Sequence, residues 1–259
     1  MTGPIFLGET PLIPSAGPVR GGFVDLDGEP HYRIGNVSDM GPFFLTVVSG
    51  SDHWMFVSSR GGLTAGRRDA NGALFPYTTD DRVHDSSGSR GPRTVLFVTR
   101  AGKTSRWEPF AHRGVYRVAR NLYKNVPGTR LVFEEVNESL GMTYRYAWTS
   151  GERYGFQRQV TLANDLGEAA EVSVLDGLLD ILPGHVDRGM QANYSTLVDA
   201  YKRTELCEES KLALYRLSSI PVDRAEPSEA LAVNTVWCDG LEGGKRLLSE
   251  AQVVGFRRG

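Results

Sequence analysis

The sequence predicts an all-β domain of two stacked antiparallel sheets, with helix confined to short turns. Three observations carry this. Short apolar stretches with partial alternation recur along nearly the whole chain, and each is bounded by Gly, Asp, Asn or Pro. Their spacing is roughly ten residues, the rhythm of antiparallel strands joined by tight turns. The longer stretches alternate apolar and polar residues, which suits strands that bury one face and keep the other wet.

The elements follow in order. After a Pro/Gly-rich lead come "VRGGFVDL" (19–26), "PHYRIGN" (30–36), "FFLTVVS" (43–49) and "HWMFVSS" (53–59). The glycine pair beginning at Gly61 reads as a turn, and "GRRDANG" ends the next strand in an Asn-Gly hairpin signal, so this region reads as two linked hairpins. Residues 84–92, "HDSSGSRGP", read as a polar loop inserted in the sheet framework. Strands resume with "TVLFVTR" (94–100), "KTSRWEP" (103–109) and "YRVARNLYK" (116–124). "TRLVFEEVNES" (129–139) and "MTYRYAWTS" (142–150) form a long hairpin in which Leu131, Phe133, Tyr144, Tyr146 and Trp148 alternate with polar partners. "GFQRQVTLAND" (155–165) and "AAEVSVLDGLLDILP" (169–183) repeat that form across "DLGE". Only 193–217 invites a helix: Leu197, Val198 and Tyr201 have helical spacing, but "LALYRL" returns to alternation and the stretch is read as extended. A Pro-rich loop, a strand near Val233–Trp237 and a short polar tail complete the chain, with no internal repeat and no low-complexity segment.

Composition narrows the function classes. A chain of 259 residues suits one large β domain, 1–259. With 29 basic and 31 acidic residues, net charge −2, and no basic cluster, nucleic acid and anionic membranes are not expected as partners. No leader of the secretory type opens the chain, and no stretch approaches the ~20 apolar residues of a membrane span, so a cytoplasmic protein is expected. Cys207 and Cys238 lie far apart and read as two reduced thiols. The five histidines, His31, His53, His84, His112 and His185, form no metal-ligand grouping, and neither a nucleophile elbow nor a phosphate or dinucleotide loop is present, so no metal and no cofactor are expected. Among the carboxylates, Glu134, Glu135, Glu138, Asp176, Asp180 and Asp187 are of the type that general acid/base chemistry uses, but no sequence signal sets any two at the separation that chemistry needs, and each is expected on a solvated strand face or at a turn end.

A series of phrases in order carries more. "GGLTAGRRDANGALFPYTTDDR", "GFQRQVTLAND", "ANYSTLVDAYKRTEL", "ALYRL", "VNTVW" and "SEAQVVGFRRG" resemble the N-terminal region of the cellobiose-phosphorylase-like proteins of glycoside hydrolase family 94. That family's strand of the form x-x-Arg-x-Val-Thr-Leu-x-Asn is matched at Arg158, Val160, Thr161, Leu162 and Asn164, and its Phe-Gly/Arg-Arg-Gly phrase at Phe256, Arg257, Arg258 and Gly259. The resemblance spans residues from about 40 to 259. It implies a large two-sheet supersandwich like that of galactose mutarotase, followed in complete enzymes by a helical barrel that holds the general acid, the phosphate ligands and most sugar contacts.

The resemblance therefore implies an accessory domain, a homodimer, a sugar or oligosaccharide partner and a helical barrel that this chain does not contain. It points Trp54, Arg67, Arg68, Asp69 and Tyr77 towards that barrel and its cleft: the three charged residues as a domain interface, the two aromatics as a sugar platform or interlayer packing. The loop here reads "FPYTTDDR" where the family carries arginine-tyrosine repeats, so specificity does not transfer. Two other classes share the fold. An aldose epimerase needs two histidines and a carboxylate converging on one sugar, with His53, His112 and His185 as the available donors. A stand-alone carbohydrate-binding module needs an exposed sheet with aromatic platforms.

Overall fold

The computed structural model describes residues 3–13, 17–111, 113–221 and 228–259, and within them strand outweighs helix, 46% to 13%. The largest sheet has six antiparallel strands in the order Gly155–Asn164, Met142–Gly151, Leu131–Asn137, Val118–Asn125, Glu29–Gly35 and Arg20–Leu26. Its centre is the long hairpin expected at 129–150, with Leu131 opposite Trp148 and Phe133 opposite Tyr146. Two smaller sheets share a core with it. One holds Phe44–Thr46, His53–Ser58, Leu63–Arg67 and Ala73–Phe75; the other holds Lys103–Trp107, Gly91–Arg100 and Glu171–Leu179.

The period of two along each strand selects the core residues. Leu122, Leu131, Phe133, Tyr144, Tyr146 and Trp148 of the six-stranded sheet meet Met55, Val57, Leu63 and Phe75 of the four-stranded sheet and Leu96 and Val98 of the three-stranded one. Phe133 and Tyr146 stack with centroids 4.8 Å apart, and Phe110 closes edge-on over both. Each such side chain contributes about 1.5–3 kcal/mol when fully buried, and the geometry of the aromatic pairs adds to this. The protein is an all-β sandwich, as the strand spacing predicts.

Several expectations are corrected. The strand at Glu171–Leu179 does not form a hairpin with Gly155–Asn164; after Asn164 the chain crosses to the opposite layer, and Glu171–Leu179 pairs with Gly91–Arg100. That crossing lets Asp176 face Arg158 across the core instead of beside it. The central strand Leu131–Asn137 has no wet face: Glu135 is buried on the inner side, and Glu134 is buried on the outer side, where Val132, Tyr123 and Ala147 form a second cluster with Val24 and Leu26. The polar stretch at 84–92 is structured. Asp80–Ser86 is a 3-10 helix lying on the four-stranded sheet, and Gly91 already belongs to a strand.

The stretch 193–217 is helical at its start and extended only from Lys202 onward. Two short helices, Arg188–Asn193 and Ser195–Tyr201, precede a three-stranded sheet of Lys202–Cys207, Leu212–Leu217 and Val233–Trp237. Asp187 caps the first helix by accepting from the Met190 N–H, and Val198 anchors the second among Leu182, Val186 and Leu217. The tail is not merely polar: Ala251–Phe256 is a helix whose Phe256 ring lies 5.4 Å from Phe97. Cys207 and Cys238 are free and exposed.

The glycine pair at 61–62 has two separate causes. Gly61 turns the chain at φ +85°, while a Cβ on Gly62 would lie 2.6 Å from the Val83 carbonyl oxygen, so only glycine lets the 3-10 helix settle on the sheet.

Candidate functional site

The two linked hairpins form as expected, with His53 opposite Arg67 and Ala65 opposite Phe75. Their end gathers all five candidate residues, and its charges pair with a carboxylate outside the five. Arg67 grips Asp52 through two hydrogen bonds of 3.0 Å, and Arg68 Nε lies 3.5 Å from the same carboxylate. Hydrogen bonds from Arg67, with the charges of its neighbours, hold the Asp52 carboxyl below its usual range. Asp69 faces its own turn instead, where its carboxylate accepts from the Asn71 N–H. The Asn-Gly pair therefore closes a capped 3-10 turn at Ala70–Gly72, and Arg68 takes the left-handed conformation at φ +63°.

Trp54 and Tyr77 meet beneath this end with centroids 5.9 Å apart. Trp54 Nε1 donates to the Asp69 carbonyl, and the Tyr77 N–H donates to Gln191 Oε1 of the Arg188–Asn193 helix. Arg188 lies over the Tyr77 ring at 5.4 Å. Both rings are half-buried against the cluster of Ala73, Leu182, Val186, Val198 and Leu217. The aromatics thus occupy an intramolecular joint, and the guanidiniums of Arg67 and Arg68, 62% and 83% exposed, form its outer surface.

A second constellation lies at an end of the sandwich. A cavity of about 350 Å³ is lined by Arg106, Trp107, Glu108, Arg113, Tyr116, Arg120 and Glu135, among others. Glu135 is fully buried and accepts from Trp107 Nε1 at 2.6 Å, the Phe110 N–H at 2.7 Å and Arg120 Nε at 2.6 Å. Glu108 accepts from Arg113 at 2.9 Å and from Arg257 at 2.8 and 3.1 Å, with Arg106 Nε at 3.7 Å. The Tyr116 hydroxyl donates to the Arg106 carbonyl, and burial raises its pKa so that it stays protonated.

The carboxylates singled out in the sequence divide between faces. Glu135 points into the sandwich. Glu134 points outward, where it accepts from Tyr123 and Asn121 at 2.7 Å and pairs closely with Arg145. Burial opposes ionisation of Glu134, but these hydrogen bonds outweigh it and its pKa lies below the usual value. Asp176 spans the layers to Arg158 and accepts from Thr94. Asp180 pairs with Arg90, and Glu138 with Arg117.

Of the histidines, His53 contacts the Ser51 hydroxyl at 2.7 Å and the Phe156 ring at 5.1 Å. Burial, helped by Arg67, pushes its pKa below the ordinary histidine value. His31 is buried beside Glu29, His84 lies on Asp85, and His185 is exposed. No described histidine lines the end cavity, and His112 lies outside the described residues. Among the described residues no group of three His, Cys, Asp or Glu side chains is placed to hold a metal, and no helix is long and apolar enough to cross a membrane.

Sequence reasoning missed Glu108 with Arg106 and Arg113, and marked Arg257 only as part of the "GFRRG" phrase. No spacing announces them, because Arg257 reaches Glu108 across 149 residues of chain. Glu134–Arg145 was more accessible: the register of the long hairpin alone sets these two residues opposite one another. No protein-family model matches the chain, and no curated protein matches it.

Proposed function

We propose that this chain is a β-sandwich domain accessory to a carbohydrate-active enzyme of the glycoside phosphorylase type, supporting a helical-barrel catalytic region and homodimer assembly without performing the chemistry itself. The observation that supports this reading is where the family-like phrases fall. Arg158 of "GFQRQVTLAND" crosses the core to Asp176, while Val160 and Leu162 of the same strand pack on it. Phe256 and Arg257 of "GFRRG" join the last helix to Phe97 and Glu108. Both phrases act as joints between layers, which is what an architectural domain requires of its most distinctive residues. On this reading Arg67 and Arg68, fixed by Asp52, present donors to the barrel, and Trp54 with Tyr77 packs the joint beneath them.

The test is turnover and binding by the purified chain. Incubated with β-linked glucose disaccharides and phosphate, it is expected to release neither sugar nor sugar phosphate. Release that disappears on replacing one carboxylate, in a variant whose fold is shown by circular dichroism to be retained, would overturn the proposal. For the dimer, sedimentation equilibrium at micromolar concentration is expected to give twice the chain mass of 28.5 kDa; a single species at the chain mass would contradict that part.

A further inference from the structure

We propose that the cavity at the end of the sandwich is a binding site for a small oxyanion, either inorganic phosphate or the phosphate group of a phosphorylated sugar. The proposal does not rest on the carbohydrate reading, since phosphate alone is enough to test it. Three features carry it. The first is size: about 350 Å³ is at the small end of ligand sites, which run from about 300 to 1,000 Å³.

The second is charge. Among the described residues, Arg106, Arg113, Arg120 and Arg257 pair with two carboxylates, Glu108 and Glu135. Both carboxylates are buried, with side chains 3% and 2% exposed, while Arg106 and Arg113 carry the positive surplus outward on side chains 39% and 44% exposed.

The third feature is donor geometry. Arg113 uses one nitrogen, Nη2, on Glu108, and its side chain remains 44% exposed at the cavity. Arg106 uses Nη1 on the Arg257 carbonyl and is 39% exposed. Each guanidinium is thus hydrogen-bonded through one nitrogen, Arg106 with its Nε also 3.7 Å from Glu108, and each side chain is more than a third exposed. A planar fork held in this way fits tetrahedral oxyanions through paired hydrogen bonds and loses little freedom on binding.

The experiment is a thermal-shift and calorimetric titration of the full chain with inorganic phosphate, glucose 1-phosphate and glucose, ionic strength being held constant with sodium chloride. Phosphate is expected to raise Tm by about 3–5 °C at ten times the calorimetric Kd and logarithmically with concentration beyond that, and glucose to leave it unchanged. Glucose 1-phosphate binding tenfold tighter than phosphate identifies a phosphorylated sugar as the ligand; equal or weaker binding identifies inorganic phosphate. Arg113→Ala is expected to weaken binding at least tenfold, whereas Arg82→Ala, which alters an exposed arginine paired to Asp85, leaves it unchanged. Should Arg113→Ala fail to fold, the side-chain Nε–H resonance of Arg113 in the unaltered protein is followed instead, and it is expected to shift with phosphate. No rise beyond that given by chloride, undiminished binding in Arg113→Ala, or an unmoved Arg113 resonance would overturn the proposal.

Discussion

Replacing Glu135 by glutamine changes one oxygen to an amide nitrogen and removes one charge, yet it is expected to destabilise the protein severely. Glu135 is 1% exposed and its two oxygens accept three hydrogen bonds, from Trp107, Phe110 and Arg120. Glutamine offers one acceptor oxygen and turns an NH2 group towards donors. The Arg120 side chain, only 10% exposed, loses its closest counter-charge, and breaking a buried pair in this way costs about 3–5 kcal/mol. The loss extends to Phe110, whose left-handed backbone, φ +66°, is held in part by the hydrogen bond its N–H donates to Glu135; such a conformation costs about 1–3 kcal/mol when unsupported. The lower figure alone would take a large share of a total stability of about 5–15 kcal/mol. Urea unfolding followed by tryptophan fluorescence measures the loss, and the Trp107→Phe variant, which deletes the indole donor together with part of the buried ring, completes a double-mutant cycle with an expected coupling of about 0.5–3 kcal/mol. A Glu135→Gln variant within about 1 kcal/mol of the parent would refute this account of the carboxylate.

Further outcomes follow from the same structure. Because the folded-state pKa of Glu134 lies below its unfolded value of 4.5, the stability it contributes is present above 4.5 and is lost as pH falls through the lowered value; the acid limb of a stability-against-pH curve is expected to flatten in Glu134→Gln. His53 is held neutral, its folded pKa lying below 6.5, so stability is expected to decline as pH falls from 6.5 towards that lower value, and His53→Gln is expected to remove this decline in equilibrium unfolding. Gly62→Ala would bring a Cβ to 2.6 Å from the Val83 carbonyl, and a destabilisation of about 1–3 kcal/mol is expected in thermal melts.

The strands were legible because turn residues punctuate them and the apolar alternation survives in the long central hairpin. Partners distant in sequence were not legible. Gly91–Arg100 meets Glu171–Leu179 with paired residues 72 to 88 positions apart in sequence, and "DLGE" has the composition of a hairpin turn whether the chain folds back or crosses to the other layer. The Ser195–Tyr201 helix is too short to establish a periodicity of its own; tertiary contacts of Val198 with Leu182, Val186 and Leu217 decide it. At the candidate sites, "GRRDANG" correctly marked a charged hairpin end, but the partner of its arginines is Asp52 from the preceding turn, not Asp69. The adjacent glutamates at 134 and 135 looked like solvated residues. They are buried on opposite faces because Arg145 and Arg120 stand across from them on neighbouring strands, a fact that depends on register.

The central claim is that this sandwich supports a helical barrel that carries out the chemistry. The most direct measurement is the nucleotide sequence of the gene on the 3′ side of the Gly259 codon, read together with the adjoining reading frames. An in-frame continuation that encodes a dozen or so amphipathic helices is the predicted result. A stop codon directly after Gly259, with no helical-barrel protein encoded alongside, would contradict the claim.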